Sequence, residues 1–132
     1  MLSKLVLSSL LVAVISAFPQ VTPTTTATGP AATYTGVLVS LGCWTDSTTV
    51  RNLNQYTETD ANMSNELCGG ICHTRGNLYS GTESGTQCYC GNYYSYNGTA
   101  APATDCNDPC PGAPAETCGG TLRLSVYRVT SG

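Results

Sequence analysis

Eight cysteines constrain this chain more than any other feature: Cys43, Cys68, Cys72, Cys88, Cys90, Cys106, Cys110 and Cys118. An even count in a small secreted chain implies four disulfides. The N-terminus supplies the compartment. Lys4 precedes an apolar run, Leu5 to Ile15, followed by the small residues Ser16 and Ala17. That order predicts a signal peptide over residues 1–17. The run is shorter than the roughly 20 residues that span a bilayer. No second apolar segment follows, and the C-terminus has no hydrophobic tail for a lipid anchor. The expectation is a secreted protein, extracellular or cell-wall associated, with no membrane anchor. All eight cysteines fall in one unit of about 90 residues, a size that buries limited apolar surface. Each bridge adds about 2–4 kcal/mol, so the staples decide whether it folds.

The spacings say what is stapled. Cys68 and Cys72 stand at i and i+4, one face of a helix; Cys88 and Cys90 stand at i and i+2, one face of a strand, with Tyr89 pointing the other way. The helix is predicted over residues 64–75. Ser64 caps it, Glu66 lies in its positive first turn and Gly76 ends it. Gly69 and Gly70 each weaken it by about 1 kcal/mol relative to Ala, so bridges and close packing must hold it. Leu78–Gly81 and Thr86–Asn92 flank Glu83-Ser84-Gly85 and form a hairpin. Geometry points to Cys68 and Cys72 bonding Cys88 and Cys90. The other four cysteines then pair among themselves, in an arrangement the sequence leaves open.

The remaining chain is read more coarsely. Residues 18–35 form a Thr/Pro-rich linker open to O-glycosylation. From Val37 the alternation predicts a strand with Val37, Val39, Leu41 and Cys43 on one face and Trp44 on the other. Residues 48–62 read as irregular, anchored by Arg51, Leu53 and Tyr56. Residues 93–105 read as a long loop, and Cys106 to Cys110 brackets a turn. Leu122, Leu124 and Val126 alternate with polar residues in a last strand.

Charge and motifs narrow the chemistry. Once Lys4 leaves with the signal, four arginines stand against eight acids, a formal net charge of −4. With no basic run, nucleic acid and anionic membrane are poor partners. An oxidising compartment argues against zinc on the Cys-x-x-x-Cys and Cys-x-Cys spacings. Cys68 and Cys72 are also one residue too far apart for haem attachment at Cys72-His73. No metal and no cofactor is expected. His73 has no free nucleophile and no Gly-x-Ser-x-Gly elbow to serve. Glu83, Asp46, Asp105, Asp108 and Glu116 are candidates for a glycosidase pair. Their turn-like surroundings favour structural roles instead, so no catalytic residue is assigned.

The aromatics point elsewhere. Tyr93, Tyr94 and Tyr96 cluster just after Asn92, and Trp44 follows Cys43. The negative face of an aromatic ring suits the weakly positive C–H groups of a pyranose, and neighbouring amides suit its hydroxyls. Trp44, Asn92, Tyr93, Tyr94 and Tyr96 are therefore the candidate carbohydrate-binding residues, with Trp44 equally suited to packing over a disulfide. Asn62-Met63-Ser64 and Asn97-Gly98-Thr99 are N-glycosylation sequons at Asn62 and Asn97. A glycan on Asn97 would crowd the aromatic loop.

Taken together, several segments resemble one family. They are Gly42-Cys43-Trp44-Thr45-Asp46-Ser47, Met63-Ser64-x-Glu66-x-Cys68-x-x-x-Cys72 and Gly81-Thr82-Glu83-x-Gly85-x-x-Cys88-Tyr89-Cys90-Gly91. Cys106-x-x-x-Cys110 and Glu116-x-Cys118-Gly119-Gly120 with Val126-Tyr127 complete the set. The pattern closely resembles the WSC domain and places that domain at residues 36–130. The resemblance implies a small disulfide-rich α+β fold, PAN/Apple-like, with one short helix packed on an antiparallel sheet and four disulfides. It also implies carbohydrate binding, above all to fungal cell-wall β-1,3-glucan or a related polysaccharide; with no catalytic residue assigned, the expectation is a non-catalytic, monomeric module. A secreted protein-interaction or effector module on the same scaffold is the alternative. The family supplies no fixed set of ligand residues to carry over. WSC domains commonly sit on a membrane stalk or a catalytic domain; a single unit after a short linker suggests a free wall-binding protein instead.

Overall fold

The computed structural model describes residues 34–94 and 97–132. The expected signal peptide, nearly all of the linker and Tyr96 lie outside the described residues. In chain order the elements are β1 (Val37–Thr45), β2 (Tyr56–Thr59), α1 (Asn65–Thr74), β3 (Tyr79–Glu83), β4 (Gln87–Gly91), β5 (Ala100–Ala101), β6 (Pro109–Cys110), β7 (Ala113–Thr117) and β8 (Arg123–Thr130), with a short 3₁₀ turn at Ala103–Asp105. Six strands form one antiparallel sheet in the order β2-β4-β3-β8-β1-β5, and β6 and β7 make a separate small hairpin. One helix packs on the sheet. The result is the expected small disulfide-rich α+β domain.

The helix forms where its caps predict. Ser64 Oγ accepts from the Leu67 N–H at 3.0 Å, and Gly76, at φ +77°, closes the C-terminus with its N–H on the His73 carbonyl. Cys68 and Cys72 are fully buried and bond Cys88 and Cys90, respectively. The remaining bridges are Cys43–Cys106, closing the longest loop, and Cys110–Cys118, closing the β6–β7 hairpin. Gly69 has a packing reason: a Cβ there would lie 2.6 Å from Leu38 Cδ2 of β1. The residue that weakens the helix lets the sheet approach it. Asn65 ties three elements together. Its amide donates to the Thr117 carbonyl and to Glu116, and its oxygen accepts from Thr82 Oγ1 at 2.7 Å.

Several expectations need correction. In β1 a bulge at Leu41 separates the Ser40↔Tyr127 pair from the Gly42↔Val126 pair. One extra residue inverts the alternation beyond it. Leu38 therefore faces the helix, Val37 and Val39 are about half exposed, and Cys43 joins the face of Leu38 rather than that of Val39. Trp44 lies on the face of Leu41 and Leu124. Gly42, at φ +88°, supplies the conformation at the bulge. The stretch read as irregular before the helix contains edge strand β2, paired with β4. The long loop contains β5, and the turn around Cys110 belongs to a hairpin. Leu122, at φ +52°, precedes β8, so Leu124 and Val126 carry its apolar face.

Two apolar groups sandwich the sheet. Met63 and six buried cysteines lie on the helix side. Leu53, Tyr89, Leu124 and Val126 lie on the other, with Trp44, Tyr79 and Tyr94 packed against them. Leu53 takes the room left by two glycines: a Cβ on Gly81 or on Gly91 would come within 2.8 or 3.0 Å of its methyl carbons. Leu53→Ala empties that space and is expected to cost about 2–4 kcal/mol, measured as a lowered urea midpoint with all four bridges intact.

Candidate functional site

The face opposite α1 is organised by the segment that follows β1. Asp46 begins it. Its Oδ1 accepts the Asn52 N–H at 2.7 Å and its Oδ2 accepts from Arg51 Nη1 at 2.7 Å. The same Arg51 nitrogen reaches the two Glu83 oxygens at 3.3 and 3.4 Å. The Asp46 and Glu83 side chains are 1% and 4% exposed, Arg51 29%. The guanidinium lies over the Tyr89 ring, 4.7 Å from its centre. A loop of polar sequence is thus held on the sheet by one buried cation–carboxylate group and by Leu53.

Electrostatics follow from this arrangement. Burial, and then the hydrogen bond and charge of Asp46, push the Glu83 carboxyl up to about 7, while Arg51 opposes the rise. The hydrogen bond that Arg51 donates to Asp46 holds the guanidinium further toward its charged form. Burial raises the Tyr89 phenol. A proton on Glu83 lets two neighbouring carboxyls share one arginine without mutual repulsion.

Glu83 is not in the hairpin turn, as its sequence context suggests, but is the last residue of β3. Ser84 and Gly85, both at positive φ, make the turn. A glycosidase pair must flank a bond in an open cleft. Asp46 and Glu83 are near each other, but they lie buried against Arg51. Glu116 accepts from Asn65, and Asp105 pairs with Arg123 at 2.9 Å.

The candidate sugar residues divide. Trp44 and Tyr94 meet edge to face, ring centres 4.9 Å apart, and Tyr79 joins Tyr94 at 4.9 Å. Trp44 Nε1 donates to the Leu41 carbonyl at 2.9 Å. Tyr93 stands apart, 75% exposed. Asn92 Oδ1 accepts the Leu78 N–H, which braces the entry to β3. Asn62 and Asn97 are both exposed, and the backbone of Thr99 pairs with Thr45, beside Trp44.

Sequence reasoning did not single out Tyr79 for the aromatic group, nor Asn54 and Gln55; it took Arg51 as an anchor of its segment, as the structure has it, without naming the carboxyls it joins. Tyr79 could have been found by its parity with Gly81 in β3, on the face opposite Ser80 and Thr82. Asp46 lies only five residues from Arg51, but the contact with Glu83 has no local signal, since the two are 32 residues apart.

Two depressions flank the sheet. One of about 560 Å³ lies beside Arg51, Asn54, Gln55, Thr57 and Tyr89. A larger one, about 650 Å³, runs along the helix between Tyr34 and Leu67, Gly70, Ile71 and Arg75. The first carries amide groups and the Arg51 guanidinium; the second combines Leu67 and Ile71 with Glu58, Thr74 and the Arg75 guanidinium.

The family model of the WSC domain matches residues 40–120, and the chain belongs to that family. WSC domains are associated with carbohydrate binding and extracellular sensing, occur in extracellular or cell-surface proteins, and are mostly non-catalytic modules. Among relatives, a "WSC domain-containing protein" of Arthroderma benhamiae is 38% identical over 87 residues, covering 66% of this chain and 12% of that protein. A "Putative fungistatic metabolite" of Chaetomium globosum is 40% identical over 91 residues, 66% of this chain and 40% of that protein. Human "Kremen protein 2" is 38% identical over 93 residues, 70% of this chain and 20% of that protein. The match thus spans less than half the length of each of these relatives. No helix among the described residues is long and apolar enough to cross a membrane.

The acid group makes a pH prediction. Glu83 ionises near 4.5 when unfolded and near 7 when folded. Between those values the folded chain holds a proton that the unfolded chain has lost. Stability should therefore fall as pH rises through this window and level off above it, by about 1–3 kcal/mol in all. Urea midpoints measured from pH 4 to 9, with Glu83→Gln as the reference, check this. The variant should lose most of the slope; an unchanged slope would show that Glu83 does not set it.

Proposed function

We propose that this chain is a secreted, non-catalytic carbohydrate-binding module for a neutral cell-wall polysaccharide, with β-1,3-glucan the first candidate. The observation that carries the reading is the aromatic group of Trp44, Tyr79 and Tyr94, with exposed Tyr93 next in the chain. Rings of this kind offer flat, apolar faces to sugar rings. Membership of the WSC family and the sparse charge of the chain support it. The engagement of Asp46 and Glu83 with Arg51 supports the non-catalytic part. The module acts as a monomer without metal or cofactor, and Asn62 and Asn97 carry its N-glycans.

Retention on insoluble β-1,3-glucan, chitin and cellulose tests the reading. Binding to β-1,3-glucan is expected; retention on none of the three overturns it. Tyr93→Ala, at an exposed position, should weaken retention by roughly 3–10-fold without lowering the thermal midpoint. A second reading is a secreted protein-interaction or effector module on the same scaffold; the Chaetomium relative carries the name "Putative fungistatic metabolite". Inhibition of hyphal growth that excess soluble glucan does not relieve would favour that reading.

A further inference from the structure

The groove beside β2 lies on the same sheet face as the aromatic group, and the two meet around Leu53. Its volume, about 560 Å³, falls within the range of small-ligand clefts. Its walls are fixed without any ligand. Leu53 fills the space over Gly81 and Gly91, and Arg51 is held by two buried carboxyl groups and by Tyr89. A site ordered beforehand loses less entropy on binding.

The groups on those walls have bonding capacity left. Arg51 spends only Nη1 on Asp46 and Glu83; among the described residues its Nε and Nη2 make no hydrogen bond. Asn54 is exposed, and its amide both donates and accepts. Gln55 uses its oxygen to accept from Asn77, which leaves its NH₂ group as a donor. The Tyr89 hydroxyl donates to Gln87 and can still accept. Charge decides what fits. The positive charge of Arg51 is already matched by Asp46 and Glu83, so an anion finds no surplus there. Those carboxyls are buried, so a cation finds no ligand. What remains is a set of closely spaced donors and acceptors, which sugar hydroxyls complement because each both donates and accepts.

We infer that this groove seats one or two sugar units of a neutral polysaccharide, with Arg51 donating at its centre and Asn54 and Gln55 at its rim. The inference rests on the carbohydrate reading above and adds the place and the polar contacts. A chain seated there continues along the same face toward Tyr94 and Trp44.

The test uses hexamers of β-1,3-glucan, chitin and cellulose as probes, titrated by calorimetry and by NMR. The Asn54→Ala/Gln55→Ala double variant changes only exposed side chains. It should bind the preferred hexamer about tenfold more weakly than the wild type, and the wild-type Arg51 Nε–H resonance should move on titration. A wild type that binds, with an unmoved Arg51 resonance and a double variant of equal affinity, overturns the groove and leaves the carbohydrate reading standing. A wild type that binds none of the hexamers overturns both.

Discussion

The two bridges from α1 to β4 are the constraint on which the rest depends. A ten-residue helix containing Gly69 and Gly70 has little stability of its own. Cys68–Cys88 and Cys72–Cys90 fix two successive turns of it to one strand face. With the helix pinned there, glycine becomes useful, because it admits Leu38 of β1 against the helix backbone. Met63 and the sulfurs complete that side of the core. Disulfides thus stand in for the large apolar side chains that a domain of this size lacks room to bury.

The opposite face has no covalent tie of that kind and is held differently. Its cover is the polar segment from Asp46 to Gln55. Leu53 plugs the space above two glycines, and Arg51 joins the end of β1 to the end of β3 through Asp46 and Glu83. Removing one partner of such a buried group leaves an uncompensated charge, which costs far more than the pair itself contributes. The arginine also keeps its remaining donors at the surface. The same contact that fixes the loop therefore fixes the polar wall of the groove. One face of the sheet is scaffold; the other combines scaffold with a surface able to meet hydroxyl groups.

Much of the scaffold was legible in the sequence, because cysteine spacing maps directly onto helix and strand periods. The spacing of four and the spacing of two picked out the helix, the hairpin strand and the bridges between them. Ser64 and Gly76 marked the helix ends. What the sequence hid was either non-local or a matter of a single residue. The bulge at Leu41 inverts the rest of β1, and only Gly42 hints at it. Edge strand β2 is four polar-leaning residues, Tyr56–Thr59, without the apolar alternation that marks a strand. The bond between Arg51 and Glu83 has no local signature. Of the aromatics, Trp44 and Tyr94 do come together, Tyr93 turns to solvent and Asn92 braces a strand. Nothing in the run from Asn92 to Tyr94 told these fates apart, since each depends on which strand lies beside it.

Function follows from the difference between the two faces. The helix side offers a larger depression beside Leu67 and Ile71; the far side offers aromatic rings on the same sheet face as a groove lined by two amides and a fixed guanidinium. The central claim is that a neutral polysaccharide lies on the far side. Intermolecular nuclear Overhauser effects between the domain and a bound β-1,3-glucan oligomer test it most directly. The account predicts contacts from the sugar protons to the exposed side chains of Asn54 and Gln55 and to the ring of Tyr94. Contacts to Leu67 and Ile71 of the helix instead would contradict it.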